Sequence, residues 1–224
     1  MFRRRRAEDA PQGEMGQLVA ALRREGHIRS ERVAQAMLAA DRRLFVAGAA
    51  HDETYVDTPL PIGFGQTISA PHMVAIMAEE IRARPGMRVL EVGGGSGWHA
   101  AVLAHLVTPG GSVVTIERIE ELARRASEAL RAAGVADRVE VVVADGSLGH
   151  PEGAPYDRIS VAAAAPRVPP ALVDQLAPQG GRLLVPVGEA GYQELIAVTK
   201  EGGEVRQENL GGCAFVPLIG AQGF

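Results

Sequence analysis

Val89-Leu90-Glu91-Val92-Gly93-Gly94-Gly95-Ser96-Gly97-Trp98 is the stretch that decides the fold. Its first residues read as a buried strand, its glycines as a tight turn, and Trp98 as the start of a helix. Glycine turns at positive φ and lets a ligand lie against the backbone. The helix behind such a turn presents free N–H groups, which suits a nucleotide-like ligand. Spacing narrows the choice. Dinucleotide turns carry G-x-G-x-x-G. Here Gly93, Gly95 and Gly97 give G-x-G-x-G, and Trp98 fills the third glycine position of the dinucleotide pattern. The competing reading is a plain structural turn.

Two more acids extend the pattern. Ser112–Ile116 is a short β-rich run ending at Glu117. An acid about 20 residues past such a turn is placed to accept hydrogen bonds from ribose hydroxyls. Alternatively, Glu117 is an acid favoured by the dipole of the following helix. Asp145, followed by Gly146, ends a third run, Arg138–Ala144. A lone Asp-Gly is usually a turn. Glu91, Glu117 and Asp145 at three successive strand ends are hard to attribute to chance.

Outward from this motif, strand and helix patterns alternate. Strands are expected at 87–92, 112–117, 138–144 and 157–162, with helices at 98–106, 119–133 and 169–177. That alternation implies a parallel sheet with helices on both faces. Residues 181–187 and 192–199 read as an antiparallel hairpin. Two amphipathic helices, 14–25 and 30–39, precede the core, and 44–70 is loop-rich. Pro71 suits the first turn of a helix reaching about Arg82. Leu218–Phe224 reads as an extended tail.

Composition sets limits. At 224 residues and 46% hydrophobic content, one α/β domain with additions is expected. A net charge of −4 argues against nucleic-acid partners. Cys213 is the only cysteine, so no intrachain disulfide is possible, and a reducing, cytoplasmic setting fits. No run of 18 apolar residues predicts a membrane span. Arg3–Arg6 lack a following apolar region, so residues 1–13 read as a disordered basic terminus rather than a secretory signal. The histidines show no metal-ligand spacing with Cys213, and His99 and His105 read as surface or packing residues. Ser96 is not a nucleophile elbow, because Trp98 stands where that motif needs glycine.

The turn and its acids resemble motif I of class I S-adenosylmethionine methyltransferases. Residues 55–77, with Pro61-Ile62-Gly63, Gly65-Gln66-Thr67-Ile68-Ser69 and Pro71, resemble the protein-L-isoaspartate O-methyltransferases. Ala154–Ile159, Ala163–Pro166, Gly180–Leu183, Pro186–Gly188 and Phe215–Leu218 extend that similarity over about 14–220. The resemblance implies a Rossmann-like class I methyltransferase fold, mostly parallel and ending in an antiparallel hairpin. It makes 14–224 one domain: helices and serine loop to 84, core 85–200, and a substrate-side strand and tail after that. It implies S-adenosylmethionine, with S-adenosylhomocysteine as product, held by Gln66, Thr67, Ile68, Glu91, Gly93, Gly95, Gly97, Glu117, Asp145 and Gly146. Glu117 would meet the ribose and Asp145 the adenine amino group. Ser69 would be the active-site serine; its other reading is a cap for the helix at Pro71. Thr67, Ser69, Val216, Pro217 and Leu218 would touch the substrate, and an exposed strand at 213–218 would suit pairing with a peptide. No metal is implied. The implied partners are isoaspartyl proteins and peptides, with no nucleic acid or membrane, acted on by a monomer.

The chain departs from the family pattern in places. Gly94 stands where many relatives carry Thr or Ser, which should loosen the turn. Trp98-His99 replaces a frequent Tyr-Gln, Ala144 precedes Asp145 in place of a common glycine, and Ile219 follows Val-Pro-Leu. Three functions stay open. One is repair of isoaspartyl proteins. Another is esterification of an ordinary aspartate in a ribosomal peptide precursor. The third is a nucleotide-binding oxidoreductase or a catalytically dead binding module.

Overall fold

The computed structural model describes residues 13–46, 53–189 and 191–224. The basic run Arg3–Arg6, and all of the expected disordered terminus except Gly13, fall outside them. Helices α1 (Gly13–Arg24) and α2 (Glu31–Ala39) form as expected. Ser30 caps α2 by accepting a hydrogen bond from Val33 N–H. Within the expected loop 44–70, two short strands pair antiparallel: β1 (Leu60–Gly63) and β2 (Gln66–Ile68). Phe64 and Gly65 make the turn between them, with φ of 55° and 71°. Strands this short, broken by Pro61 and Gly63, leave no alternation to read in the sequence. Helix α3 (Pro71–Glu80) follows.

The core elements are β3 (Arg88–Val92), α4 (Trp98–Val107), β4 (Ser112–Glu117), α5 (Glu120–Ala132), β5 (Val139–Val143) and β6 (Arg158–Val161). The chain then adds α6 (Pro170–Asp174), β7 (Gln179–Glu189), β8 (Tyr192–Glu201) and β9 (Glu204–Cys213). The sheet order is β5-β4-β3-β6-β7-β8-β9. The first five strands are parallel, and β8 and β9 are antiparallel. This is the mostly parallel layout with an antiparallel end that the sequence predicts, one strand larger. Successive strands lead away from β3 in both directions, so the order reverses between β3 and β6. Ligands of open α/β sheets bind beyond the strand ends at such a point. Apolar residues fill both faces of the sheet. Helix α4 is apolar all round, and Ala100–Ala104 are fully buried, because it lies between the sheet and the N-terminal helices.

Four expectations need correction. Strand β9 was not anticipated: its sequence mixes Glu204, Arg206 and Glu208 with few apolar residues, since an edge strand covers little core. The helix expected at 169–177 shortens to five residues, Pro170–Asp174. Finally, 213–218 is not a free strand, and 218–224 is not extended. Strand β9 ends at Cys213, and beyond it Ala164 N–H donates to the Val216 carbonyl (2.8 Å) and Leu218 N–H to the Ala164 carbonyl (2.7 Å). The tail then folds back onto Asp145, which accepts hydrogen bonds from Ala221 N–H (2.7 Å), Ser147 N–H (2.9 Å) and the Ser147 hydroxyl (2.7 Å). A Cβ on Gly220 would lie 2.0 Å from Asp145 Oδ1, so only glycine fits there.

Partial burial pushes the Asp145 carboxyl up, but the bonds from Ala221 and Ser147 outweigh it and hold its pKa below the ordinary value. A lowered folded pKa stabilises the fold above the unfolded value and loses that contribution as pH falls through the folded one. The stability difference between wild type and Asp145→Ala is therefore expected to be full above about pH 5 and to shrink below about pH 4. Urea unfolding at several pH values checks this; a pH-independent difference would count against the tail contact.

Candidate active site

The glycine turn is fastened to the end of β4. Gly93, Gly95 and Gly97 take positive φ (88°, 53° and 86°). Gly93 and Gly94 N–H groups both donate to the Ile116 carbonyl at 2.9 Å. Gly95 N–H donates to Glu117 Oε2, and Ile119 N–H, at the entry to α5, donates to Oε1, both at 2.9 Å. Glu117 thus serves the helix start and the turn together. Each carboxylate oxygen accepts about two hydrogen bonds, so each keeps one place for a ligand hydroxyl. Glu117 lines the cleft above the turn, with Gln66, Thr67, Gly93, Gly95 and Gly146.

Other residues named from the sequence lie elsewhere. Glu91 is fully buried beneath the turn, outside the cleft lining. Its Oε2 accepts the Thr115 hydroxyl (2.5 Å), and His99 Nδ1 lies 3.0 Å from Oε1, out of hydrogen-bond alignment. Gly97 spaces two helices: a Cβ there would stand 3.2 Å from Ala126 Cβ. Ile68 is 3% exposed and belongs to the core. The Asp145 side chain is engaged by the tail, while Gly146 lines the cleft beside it. Pro217 and Leu218 line this cleft, and Val216 lines both it and a second space.

That second space is a groove of about 660 Å³. Thr67, Ser69, His72, Tyr192, Gln193 and Phe215 are among its walls. The cleft and the groove share Thr67, Ala162 and Val216, so their occupants would meet there. Ser69 faces the groove and is not a helix cap. Helix α3 has no side-chain cap at Ala70; instead Asp57 Oδ1 accepts His72 N–H at 2.8 Å. The Asp57 carboxylate also accepts from His72 Nδ1 (3.0 and 3.1 Å). Among the described residues the Ser69 hydroxyl has no hydrogen-bond partner, which leaves it available to a ligand.

Sequence reading missed Arg42, which is fully buried. Its guanidinium donates to the carbonyls of Thr54 (2.8 Å), Val56 (3.1 Å), Thr58 (2.8 Å) and Ser69 (3.2 Å). It also lies over the Trp98 ring, 5.2 Å from the centroid. Burial pushes its pKa down to about 10 while Asp57 pulls it back up, so it stays charged at neutral pH. The Arg-Arg pair at 42–43 looks like surface charge, and nothing local marks one of them as buried. The Asp57–His72 contact was equally hidden, because it joins residues 15 apart through the serine loop.

Comparison with known proteins agrees over nearly the whole chain. The family model described as protein-L-isoaspartate(D-aspartate) O-methyltransferase matches residues 14–223. A protein-L-isoaspartate O-methyltransferase of Methanopyrus kandleri is 57% identical, covering 92% of each chain. One from Hyperthermus butylicus is 54% identical, covering 92% of this chain and 89% of its own. A Plasmodium falciparum protein described by the same name, solved with S-adenosyl-L-homocysteine, superimposes with a TM-score of 0.83 at 29% identity. That match covers 93% of this chain and 99% of the other.

Replacing Arg42 should separate charge from geometry. Arg42→Lys keeps the charge but cannot reach four carbonyls in a planar fan. Leaving buried carbonyls unpaired costs about 1–3 kcal/mol each, so Arg42→Lys is expected to lose at least about 2 kcal/mol in urea unfolding. A variant within about 0.5 kcal/mol of wild type, the usual range for surface changes, would show that the clamp is dispensable.

Proposed function

The chain belongs to the protein-L-isoaspartate(D-aspartate) O-methyltransferase family, and we propose that it methylates the α-carboxylate of L-isoaspartyl residues in damaged proteins and peptides. The methyl ester then closes to a succinimide, whose hydrolysis returns some normal aspartate. The observation that carries this reading is the junction of the two spaces at Thr67, Ala162 and Val216, with a free serine hydroxyl beside it. The glycine turn, with a carboxylate that keeps acceptor capacity on both oxygens, fits a nucleoside in the cleft.

S-adenosylmethionine supplies the methyl group when bound, and its sulfur leaves as the neutral thioether of S-adenosylhomocysteine. The acceptor carboxylate has an ordinary pKa near 4, so it is already ionised at neutral pH. The chain therefore needs no strong base; its residues orient and desolvate. In this reading Glu117 takes the ribose hydroxyls. Asp145, whose Oδ2 accepts one bond from the tail, keeps a place for the adenine amino group. Gln66 and Thr67 cover the cofactor through side chain or backbone, and Ile68, buried, through backbone alone. Gly93, Gly95 and Gly146 let it lie close. Glu91 and Gly97 act from behind the turn. Ser69 donates to one oxygen of the substrate carboxylate and leaves the other to attack. Thr67, Val216, Pro217 and Leu218 wall the path between the two ligands. Arg42 and Asp57 hold the serine loop in place.

The finer reading is a monomer acting in the cytoplasm without nucleic-acid partners; the single cysteine supports the reducing compartment, and the net charge of −4 supports the absence of nucleic acid. Among the described residues no helix is long and apolar enough to cross a membrane. The family and the names of its relatives favour isoaspartyl substrates over a dedicated peptide precursor, and over an oxidoreductase.

An isoaspartyl peptide and its aspartyl twin differ by moving one methylene from the carboxylate arm into the backbone. In a site that fixes the flanking chain, the aspartyl carboxylate is misplaced by about 1 Å, which can cost about 100-fold in rate. The isoaspartyl peptide is expected to be methylated at least about 100 times more efficiently; equal rates would overturn the repair function. Ser69→Ala is expected to lower kcat by about 10- to 1,000-fold, by analogy with the loss of other orienting donors, with cofactor affinity nearly unchanged. Wild-type turnover in that variant would remove Ser69 from the site.

A further inference from the structure

We propose that Thr115 is a positioning residue for the cofactor turn, and that Gly94 is glycine because the Thr115 hydroxyl occupies its side-chain space. This rests on the reading of the turn as the cofactor seat. Gly93, Gly95 and Gly97 need glycine for their positive φ. Gly94 does not, since its backbone lies outside the positive-φ range. Its constraint is space: an added Cβ would stand 2.5 Å from Thr115 Oγ1. Real Cβ atoms do not approach so closely, so the turn or the threonine would have to move.

The threonine is not free to move. Thr115 is fully buried, and its hydroxyl donates to Glu91 Oε2 at 2.5 Å. Glu91 is itself fully buried and sits directly opposite Thr115 in the β3–β4 pairing. Rotating the hydroxyl away would strand a buried carboxylate oxygen, and a β-branched side chain has few rotamers to offer. Oγ1 is therefore a fixed floor under Gly94. The next two residues of β4 complete the arrangement: the Ile116 carbonyl holds Gly93 and Gly94, and the Glu117 carboxylate holds Gly95. Three consecutive strand residues template three consecutive turn residues. A displacement at Gly94 is passed to Gly95 N–H, and through it to the carboxylate that receives the ribose. The turn is thus not loosened by glycine at position 94; the side chain absent there is replaced by one from the neighbouring strand.

Isothermal titration with S-adenosylhomocysteine tests this, with wild-type binding serving as a separate check that the turn seats a nucleoside cofactor. Gly94→Ala is expected to raise Kd at least about tenfold, a shift equal to about 1.4 kcal/mol. The KM of the isoaspartyl peptide at saturating cofactor should change less than about threefold, because the groove is untouched. Gly94→Ala combined with Thr115→Ala should bind at least about threefold more tightly than Gly94→Ala alone, the signature of a direct contact. Thr115→Ser, which keeps the donor, should stay within about twofold of wild type, and Thr115→Val should bind at least about threefold more weakly than Thr115→Ser. A Gly94→Ala Kd within about twofold of wild type, or no recovery in the double variant, overturns the proposal. Should Gly94→Ala not fold, equal affinities for Thr115→Ser and Thr115→Val overturn it, and the predicted difference supports it. Tight wild-type binding with any overturning result sinks the interlock and leaves the cofactor reading standing; no wild-type binding sinks both.

Discussion

The site depends on one buried cation. Arg42 donates to carbonyls from the 54–58 segment and from Ser69, and rests on the ring of Trp98. Trp98 opens the helix that follows the cofactor turn, and its indole N–H donates to the Ala40 carbonyl at 2.8 Å. One residue therefore joins the serine loop, the N-terminal helices and the cofactor turn. A charge removed from water is costly unless it is hydrogen-bonded; here the compensation comes from backbone carbonyls the loop must satisfy anyway. Catalysis by alignment needs the serine and the turn held at a fixed separation. A packed guanidinium sets that separation without relying on a flexible loop.

The second constraint comes from the sheet. Strand β4 holds the turn through two successive residues, Ile116 by its carbonyl and Glu117 by the carboxylate proposed for the ribose. At the neighbouring position, the segment after β6 carries Ala162, where the cleft and the groove meet. The order reversal between β3 and β6 thus opens a space in which two occupants would meet at Thr67, Ala162 and Val216. An anionic acceptor and a cationic donor lose charge as they react. A site that excludes water favours that loss, and the apolar walls at Ala162, Val216 and Leu218 suit it.

Much of this was legible in the sequence because it rests on local rules. The glycine spacing needs positive φ at Gly93, Gly95 and Gly97, and the strand–turn–helix around it follows from periodicity. What escaped reading depends on contacts between distant segments. Arg42 resembles any surface arginine until the 54–58 segment and Ser69 close around it. Asp57 caps α3 from 15 residues away, which also overturned the expectation of Ser69 as a possible cap. Strand β9 carries charges because its edge faces solvent, so it lacks the alternation that marks a strand. The tail looked extended because the bonds that fold it are made to Asp145 and Ser147, about 75 residues earlier in the chain. Gly94 reads as a loosened position because the Thr115 hydroxyl, 2.5 Å from where a Cβ on Gly94 would stand, belongs to a strand that follows later in the chain.

A crystal structure with S-adenosylhomocysteine and an isoaspartyl peptide tests the central claim most directly. The account predicts the nucleoside in the cleft, with its ribose on Glu117. It predicts the isoaspartyl carboxylate at the junction beside Thr67, Ala162 and Val216, accepting a hydrogen bond from Ser69. One carboxylate oxygen should point along the sulfur axis, within about 3–3.5 Å of where the methyl carbon would sit. A peptide bound with its carboxylate away from that junction, or a Ser69 hydroxyl turned to cap α3, would contradict it.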